Sequence, residues 1–370
     1  MRLFGKRAEA PARPALVRAV SGVAGGEWPR SYEGQVRDAY LGNAIAQRAV
    51  RIVAEGAAGV PVYAAAGPDT AAALLGDAML VETVAAQLVL HGNAFVQIVT
   101  DSVGEPAQLF ALRPERVTIE QDSSGWPSSY LYRAGDAAMR LPVVDGAGRP
   151  SLVHLKALHP IDDLYGAGSL GAAAAAVAVH NAAAKWNKAL LDNAARPSGA
   201  LVYDPGEGGG TLSRDQFERL KAEVEAGFAG AGNAGRPMLL EGGLSWAPMS
   251  LTPADMDFAG LKAGAAREIA LAFGVPPMLL GLPGDNTYAN YSEANRALWR
   301  LTIVPLVDKI AGGVAAALRA WWPDLVLKSD LDQVPALAAD RERLWGQVAA
   351  ADFLSVDEKR EMLGFGARRG

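Results

Sequence analysis

Phe273-Gly-Val-Pro-Pro-Met-Leu-Leu-Gly281 decides how this chain is built. A helix-patterned segment runs into it, with Phe258, Leu261, Ala265 and Ile269 on one face. Pro276-Pro277 stops that helix, because proline lacks the N–H and clashes with the preceding turn. The loop Pro283-Gly-Asp-Asn-Thr-Tyr-Ala-Asn-Tyr-Ser292 follows, and a long apolar helix is expected from about Glu293 to Trp322. Pro305 inside it should kink it. Two helices back to back around a short polar loop hold that loop at a fixed place, which is not how a catalytic pocket is made.

Upstream, Thr252-Pro-Ala-Asp255 reads as the helix start: Thr as N-cap, Pro at N1, Asp in the first turn. Before it lies a module of about 55 residues, small for independent stability and expected to lean on neighbouring subunits. Its parts are a strand Ala200 to Tyr203, a glycine-rich linker, a helix capped by Ser213-Arg-Asp-Gln216, and strands Pro237 to Leu240 and Leu244 to Pro248. Gly168 to Asn193 reads as an alanine-rich helix of roughly 37 Å. Its Asn181, Lys185, Lys188 and Asp192 form one polar stripe, which suits either a buried helix or one packed against copies of itself.

Further upstream, one helix is expected over Ser31 to Ala54, a short strand over Val60 to Tyr63 and a helix over Met79 to Leu90. Short β-branched or aromatic runs follow at 94–100, 107–112, 117–120, 130–132 and 153–158. The fold class is therefore α+β with antiparallel strands. Residues 1–27 read as a mobile arm. Beyond Pro323 a strand at Leu325 to Lys328, a helix over Pro335 to Ala350 and a last helix capped by Ser355-Val-Asp-Glu358 complete the chain.

Composition narrows the function. The 370 residues carry a net charge of −5, no cysteine and four histidines. Disulfides, thiolate metal sites and cysteine nucleophiles are excluded. His91, His154, His159 and His180 lack metal-ligand spacing and read as core or surface residues. No secretory signal and no run of about twenty uninterrupted apolar residues is read, so a soluble cytoplasmic product is expected. An acidic chain does not grip DNA tightly, because phosphate neutralisation dominates such affinity. Any contact with DNA must be weak.

Other chemistry is mostly missing. Gly206-Glu-Gly-Gly-Gly210 lacks the Lys and hydroxyl of a phosphate loop and reads as a linker. Ala167-Gly-Ser-Leu-Gly171 approaches a nucleophile elbow, but Ala167 stands where a Gly is needed. Asp162-Asp163 and Asp330/Asp332 read as turn and cap residues rather than metal ligands. No cofactor, metal or catalytic residue is expected. The tyrosines of Asn286-Thr-Tyr288-Ala-Asn-Tyr291 either pack down in a plain connection or face a ligand or polymer.

The segments His91-Gly-Asn-Ala-Phe-Val96, Leu112-Arg-Pro-Glu-Arg-Val117, Leu164-Tyr-Gly-Ala-Gly-Ser169 and Asn193-Ala-Ala-Arg-Pro-Ser-Gly199 occur in this order. They are followed by Leu240-Glu-Gly-Gly-Leu-Ser-Trp246, Met249-Ser-Leu-Thr-Pro-Ala-Asp255, Arg267 to Gly281 and Leu354 to Gly364. Together they resemble portal proteins of tailed bacteriophages, of the type found in long-tailed siphophages, prophages and gene transfer agents. The resemblance implies a twelve-subunit ring at one capsid vertex of the virion, assembled in the bacterial cytoplasm, around a channel for DNA packaging and ejection. It implies 28–168 as a wing, 169–195 and 252–281 as two stem helices and 196–251 as a clip. Residues 282–292 become a tunnel loop, 293–322 a kinked wing helix and 323–370 a short crown.

The implied partners are the major capsid protein, a large terminase ATPase that then gives way to a head–tail adaptor, and double-stranded DNA held weakly, without a membrane. By the same resemblance Asp285, Asn286, Thr287, Tyr288 and Asn290 face DNA, and Tyr203, Arg214, Phe217, Arg236 and Trp246 meet the terminase or adaptor. Lys185, Lys188 and Lys262 are candidates for the channel wall. The rival readings are a serine hydrolase using Ser169 and an adaptor ring that is not a portal.

Overall fold

The computed structural model describes residues 16, 31–192, 199–204, 206, 212–228, 244–248, 258–282 and 287–365. The chain divides into two compact units, one of residues 1–175 with 268–370 and one of residues 176–267. The chain enters the second unit within one long helix and leaves it within another.

The first unit opens with α1 (Tyr32–Val36), a π-helical turn (Arg37–Leu41) and α2 (Ala44–Ala58). The single helix expected over Ser31 to Ala54 is thus broken in two. Asn43 causes the break: its side-chain oxygen accepts from the N–H groups of Ile45 and Ala46, capping a new helix start. After β1 (Val62–Ala66), which begins past Pro61 rather than at Val60, come α3 (Asp69–Ala73) and α4 (Ala78–Leu90).

The strands are β2 (Asn93–Thr100), β3 (Pro106–Leu112), β4 (Val117–Gln121), β5 (Pro127–Ala134), β6 (Ala137–Pro142) and β7 (Leu152–Lys156). They make two antiparallel three-stranded sheets, in the orders β3-β2-β7 and β4-β5-β6. α3 and β6 were not anticipated. β6 is an exposed edge strand, Ala-Ala-Met-Arg-Leu-Pro, without the β-branched run that marks a buried strand.

Between the sheets Phe95, Leu112, Val117, Ile119, Tyr130, Leu152 and Leu164 form one buried cluster. Burying each such side chain contributes about 1.5–3 kcal/mol. Leu16 packs against this cluster too. One residue of the segment expected to be a mobile arm is therefore anchored, while the rest of 1–27 lies outside the described residues.

Two helices carry the chain between the units. α5 (Ser169–Asp192) begins in the first unit. In the second, β8 (Gly199–Tyr203) pairs antiparallel with β9 (Leu244–Pro248), and α6 (Arg214–Phe228) lies between them in sequence. Ser213 and Gln216 exchange the two bonds of the expected capping box. The expected strand Pro237 to Leu240 and the helix start at Thr252 lie outside the described residues. α7 (Phe258–Ala272) returns to the first unit.

The returning chain makes a short 3₁₀ turn (Pro277–Leu280), then α8 (Tyr288–Leu298), a second π turn (Trp299–Ile303) and α9 (Val304–Leu318). α8 starts five residues before the expected Glu293, because the Thr287 side chain accepts from Asn290 N–H and caps it there. The kink expected at Pro305 takes the form of that π turn. The run Tyr288–Leu318, although charged residues interrupt it, is long and apolar enough, by length and composition, to cross a membrane. Its Val307, Ile310, Ala311, Val314, Ala315 and Leu318 are buried within the protein, as befits a core helix.

β10 (Val326–Ser329) pairs antiparallel with β1. α10 (Ala338–Ala349) and α11 (Val356–Met362) follow, the latter with both bonds of the expected Ser355/Glu358 capping box. Tyr63 of β1 donates to the Gly364 carbonyl at 2.9 Å, tying the chain's last described turn to its first strand.

Candidate nucleic-acid interface

The sequence-predicted site residues fall in three places: the hairpin of α7 and α8, the stripe on α5, and the second unit's paired strands and α6.

At the hairpin, α7 ends in a Schellman motif. Val275 N–H reaches Ala270 O at 2.9 Å and Gly274 N–H reaches Leu271 O at 3.0 Å, with Gly274 at φ +68°. Val275 and Ala270 are both buried, giving the apolar contact that closes such a motif. Pro276-Pro277 then cannot continue the helix. The 3₁₀ turn ends in the same way: Leu282 N–H bonds Pro277 O, Gly281 N–H bonds Met278 O, and Gly281 has φ +72°. Two glycine-terminated stops thus fall within nine residues. Gly274→Ala is expected to cost about 1–2 kcal/mol, since an L side chain there adopts left-handed backbone and meets Thr302 Oγ1 at 3.0 Å. A thermal melt that matches the wild type would contradict this.

Beyond the loop, Tyr288 is 90% exposed and Tyr291, one turn on, is 52% exposed. Their phenols are displayed rather than packed down, and Thr287 and Asn290 serve the helix cap. Asp285 and Asn286 lie outside the described residues. Of the two residues bonded behind this display, Gly274 lies in the Phe273–Gly281 stretch and Thr302 carries no sequence motif. Only Pro305 signals the irregular turn behind them.

On α5 within the second unit, Ala176, Val177 and Ala183 are buried, and Trp186 stacks on Phe258 of α7 with ring centroids 4.3 Å apart. Lys185 and Lys188 are exposed, and Lys262 on α7 is half-buried. The side chain of Asp192 lies outside the described residues. Burial, with Lys262 nearby, holds the His180 imidazole below its ordinary pKa. The surface here is cationic without being densely so.

In the second unit, Leu201 stands opposite Trp246 and Tyr203 opposite Leu244 in the β8–β9 register. Arg214 and Phe217 are exposed on the first turn of α6, and Tyr203 is half-buried. The Trp246 side chain and Arg236 lie outside the described residues.

Ser169 heads α5 and lines a groove of about 390 Å³ with Leu88, Phe273, Leu301 and Pro305. Among the described residues lining it there is no histidine or carboxylate to activate a hydroxyl. Asp162 caps the turn before α5 by accepting from Leu164 and Tyr165 N–H, and Asp330 caps a turn through Asp332 N–H. Among the described residues no cluster of three or more metal-ligating side chains forms.

A family described as phage portal protein matches residues 44–364. An uncharacterised protein of Rickettsia felis is 42% identical over 286 residues, which is 76% of this chain and 72% of that one. The probable portal protein of Streptomyces phage phiC31 is 27% identical over 214 residues, 56% of this chain and 46% of that one. A solved chain from the neck of a native gene transfer agent particle, computed with C12 symmetry, is 46% identical. That likeness covers 94% of this chain and 97% of the other, with a TM-score of 0.69. With the family matched over most of its length, this chain belongs to the phage portal proteins.

Proposed function

We propose that this chain is the portal subunit of a phage-like particle: a ring at one capsid vertex through which DNA is packaged and later leaves. The observation that carries this is the near full-length likeness to a chain in the neck of a gene transfer agent particle of C12 symmetry. Twelve copies is therefore the ring number we adopt. The subunit is structural and carries out no catalysis. A separate ATPase, the large terminase, supplies the work of packaging and docks on the clip, 196–251; a head–tail adaptor replaces it; the major capsid protein surrounds the wing, 28–168.

In this reading residues 169–195 and 252–281 form the stem, 282–292 the tunnel loop, 293–322 the helix behind it and 323–370 a short crown. The exposed Tyr288 and Tyr291 support a loop that touches the duplex without binding it. Amide and phenol side chains offer contact but no charge, and an acidic subunit repels phosphate over a Debye length of about 10 Å at about 0.1 M salt. Lys185, Lys188 and Lys262 supply sparse positive points on the channel wall that steady the duplex.

Negative-stain images of the purified chain should show rings with a central hole. A protein that stays monomeric at high concentration would sink the reading. Replacing the three lysines with Glu should leave the rings intact and lower the DNA content per particle severalfold, measured by absorbance ratio on purified particles. Normal rings with unchanged filling would remove these lysines from the channel wall.

A further inference from the structure

Helices α8 and α9 form one helical run that is interrupted where a proline forbids regular pairing. Pro305 has no N–H to offer the carbonyl four residues back. Just before it, Val304 N–H reaches five residues back to Trp299 O, the bond of a π turn. Such a turn holds one more residue than the α-helix. It therefore offsets the side chains before it by one helical step, about 100° of rotation, from where a regular helix would aim them.

Two adjacent side chains use this offset. Ile303 is 1% exposed, and its Cδ1 lies 2.6 Å from where a Cβ on Gly56 of α2 would stand, so it packs directly on that glycine. Thr302, the residue before it, instead meets the end of α7. Its Oγ1 donates to the Gly274 carbonyl at 2.8 Å, and its Cγ2 lies 3.3 Å from where a Gly274 Cβ would be. The first helix of the hairpin ends on Gly274, and the second is held to that same residue by one hydroxyl. Past this point α7 has ended, and α8 begins at Tyr288.

We infer that Thr302 is the positioning residue for Tyr288: its bond to Gly274 fixes the rotation of α8 and hence where Tyr288 stands. Thr302 itself touches no DNA. The proposal rests on the portal reading above, in which position 288 faces the duplex.

Particles assembled with Tyr288→p-benzoylphenylalanine chains provide the test. In filled wild-type-background particles, irradiation should join position 288 to DNA. Thr302→Val keeps the shape of the side chain and deletes the donor. It should leave ring assembly and the melting temperature close to wild type and lower the cross-link yield by roughly three- to tenfold, the population change that loss of one such bond produces. Thr302→Ser restores the hydroxyl and should restore the yield. A yield unchanged by Thr302→Val overturns the proposal alone. A Ser variant as poor as the Val variant also overturns it, because the hydroxyl would then not be the cause. No cross-link in the wild-type background sinks the portal placement of Tyr288 and the proposal together.

Discussion

Gly166→Ala should leave no folded protein. A Cβ on Gly166 would stand 2.1 Å from Gly92 O, 2.6 Å from Ala157 N and 2.7 Å from Ala157 O, and all three are backbone atoms. None can retreat. Ala157 N–H is bonded to Gly92 O at 2.7 Å, and the Asn93 amide grips Gly166 on both sides: Gly166 N–H donates to Oδ1 at 2.7 Å and Nδ2 donates to Gly166 O at 3.0 Å. The neighbouring glycines are equally confined, with Gly168 facing Leu90 O and Gly92 facing Ala167 C at 2.2 and 2.3 Å from their would-be Cβ atoms. Two stretches of main chain thus lie flat against each other just before α5 starts. Overpacking against rigid backbone costs more than about 4 kcal/mol, a large share of a typical folding free energy. Soluble yield and the circular dichroism melt should both collapse. Gly171→Ala, at an exposed position of α5 with nothing within 4 Å, is the control and should gain up to about 1 kcal/mol. If Gly166→Ala melted alongside the control, the close backbone approach would be refuted.

Much of this fold was legible because it follows periodicity and punctuation. The double proline after α7, the Ser213 and Ser355 capping boxes and the β-branched runs of β2 to β5 all act locally, within a few residues of their effect. What escaped depends on contacts that periodicity does not display, some local and some far away in sequence. Asn43 resembles any polar residue in a helix pattern until its side chain turns back on Ile45 and Ala46. β6 is recognisable only once β5 lies beside it, and β10 finds β1 across more than half the chain. In the candidate site, an aromatic loop between two helices marked the display of Tyr288, and Pro305 marked irregularity. The π turn and the Thr302–Gly274 bond were hidden because their cause is three-dimensional. Two stretches quoted for family resemblance, His91 to Val96 and Leu164 to Ser169, turn out to be the two halves of one backbone contact, which explains their glycines physically.

That same contact predicts loss of stability in mild acid. Gly166 contributes both a donor and an acceptor, so it fixes which way the Asn93 amide points. Nδ2 is then the group 3.1 Å from His91 Nδ1, and Oδ1 the group 3.1 Å from His154 Nε2. His91 must therefore accept through a bare Nδ1, and His154 must donate from Nε2. Protonating His91 would set an N–H against the amide's own N–H. Both rings are packed: His154 stacks on Phe95 at 4.3 Å, and His91 meets Tyr32 edge-on at 4.7 Å.

Burial accordingly holds His91 at about 4, and burial, with Lys156 and His91 nearby, holds His154 at about 3, each against an ordinary 6.5. The unfolded chain binds protons at both rings as the pH falls through about 6.5, while the folded chain does not until about 4 or below. Stability is therefore full above about 6.5 and declines below it, by a total on the order of 5 kcal/mol at about pH 4. The depressed carboxylates Glu120, Asp332 and Glu358 add their own loss only at lower pH, where they take up protons. The interval between about pH 6.5 and 5 thus belongs chiefly to the histidines, with His180 adding its share to those of His91 and His154. Urea melts at pH 7, 6 and 5 should show a steadily falling midpoint, and His154→Gln, which keeps an amide donor for Asn93, should flatten that fall by about half. A wild-type midpoint constant across the interval would mean that the two imidazoles are not held neutral in the folded chain.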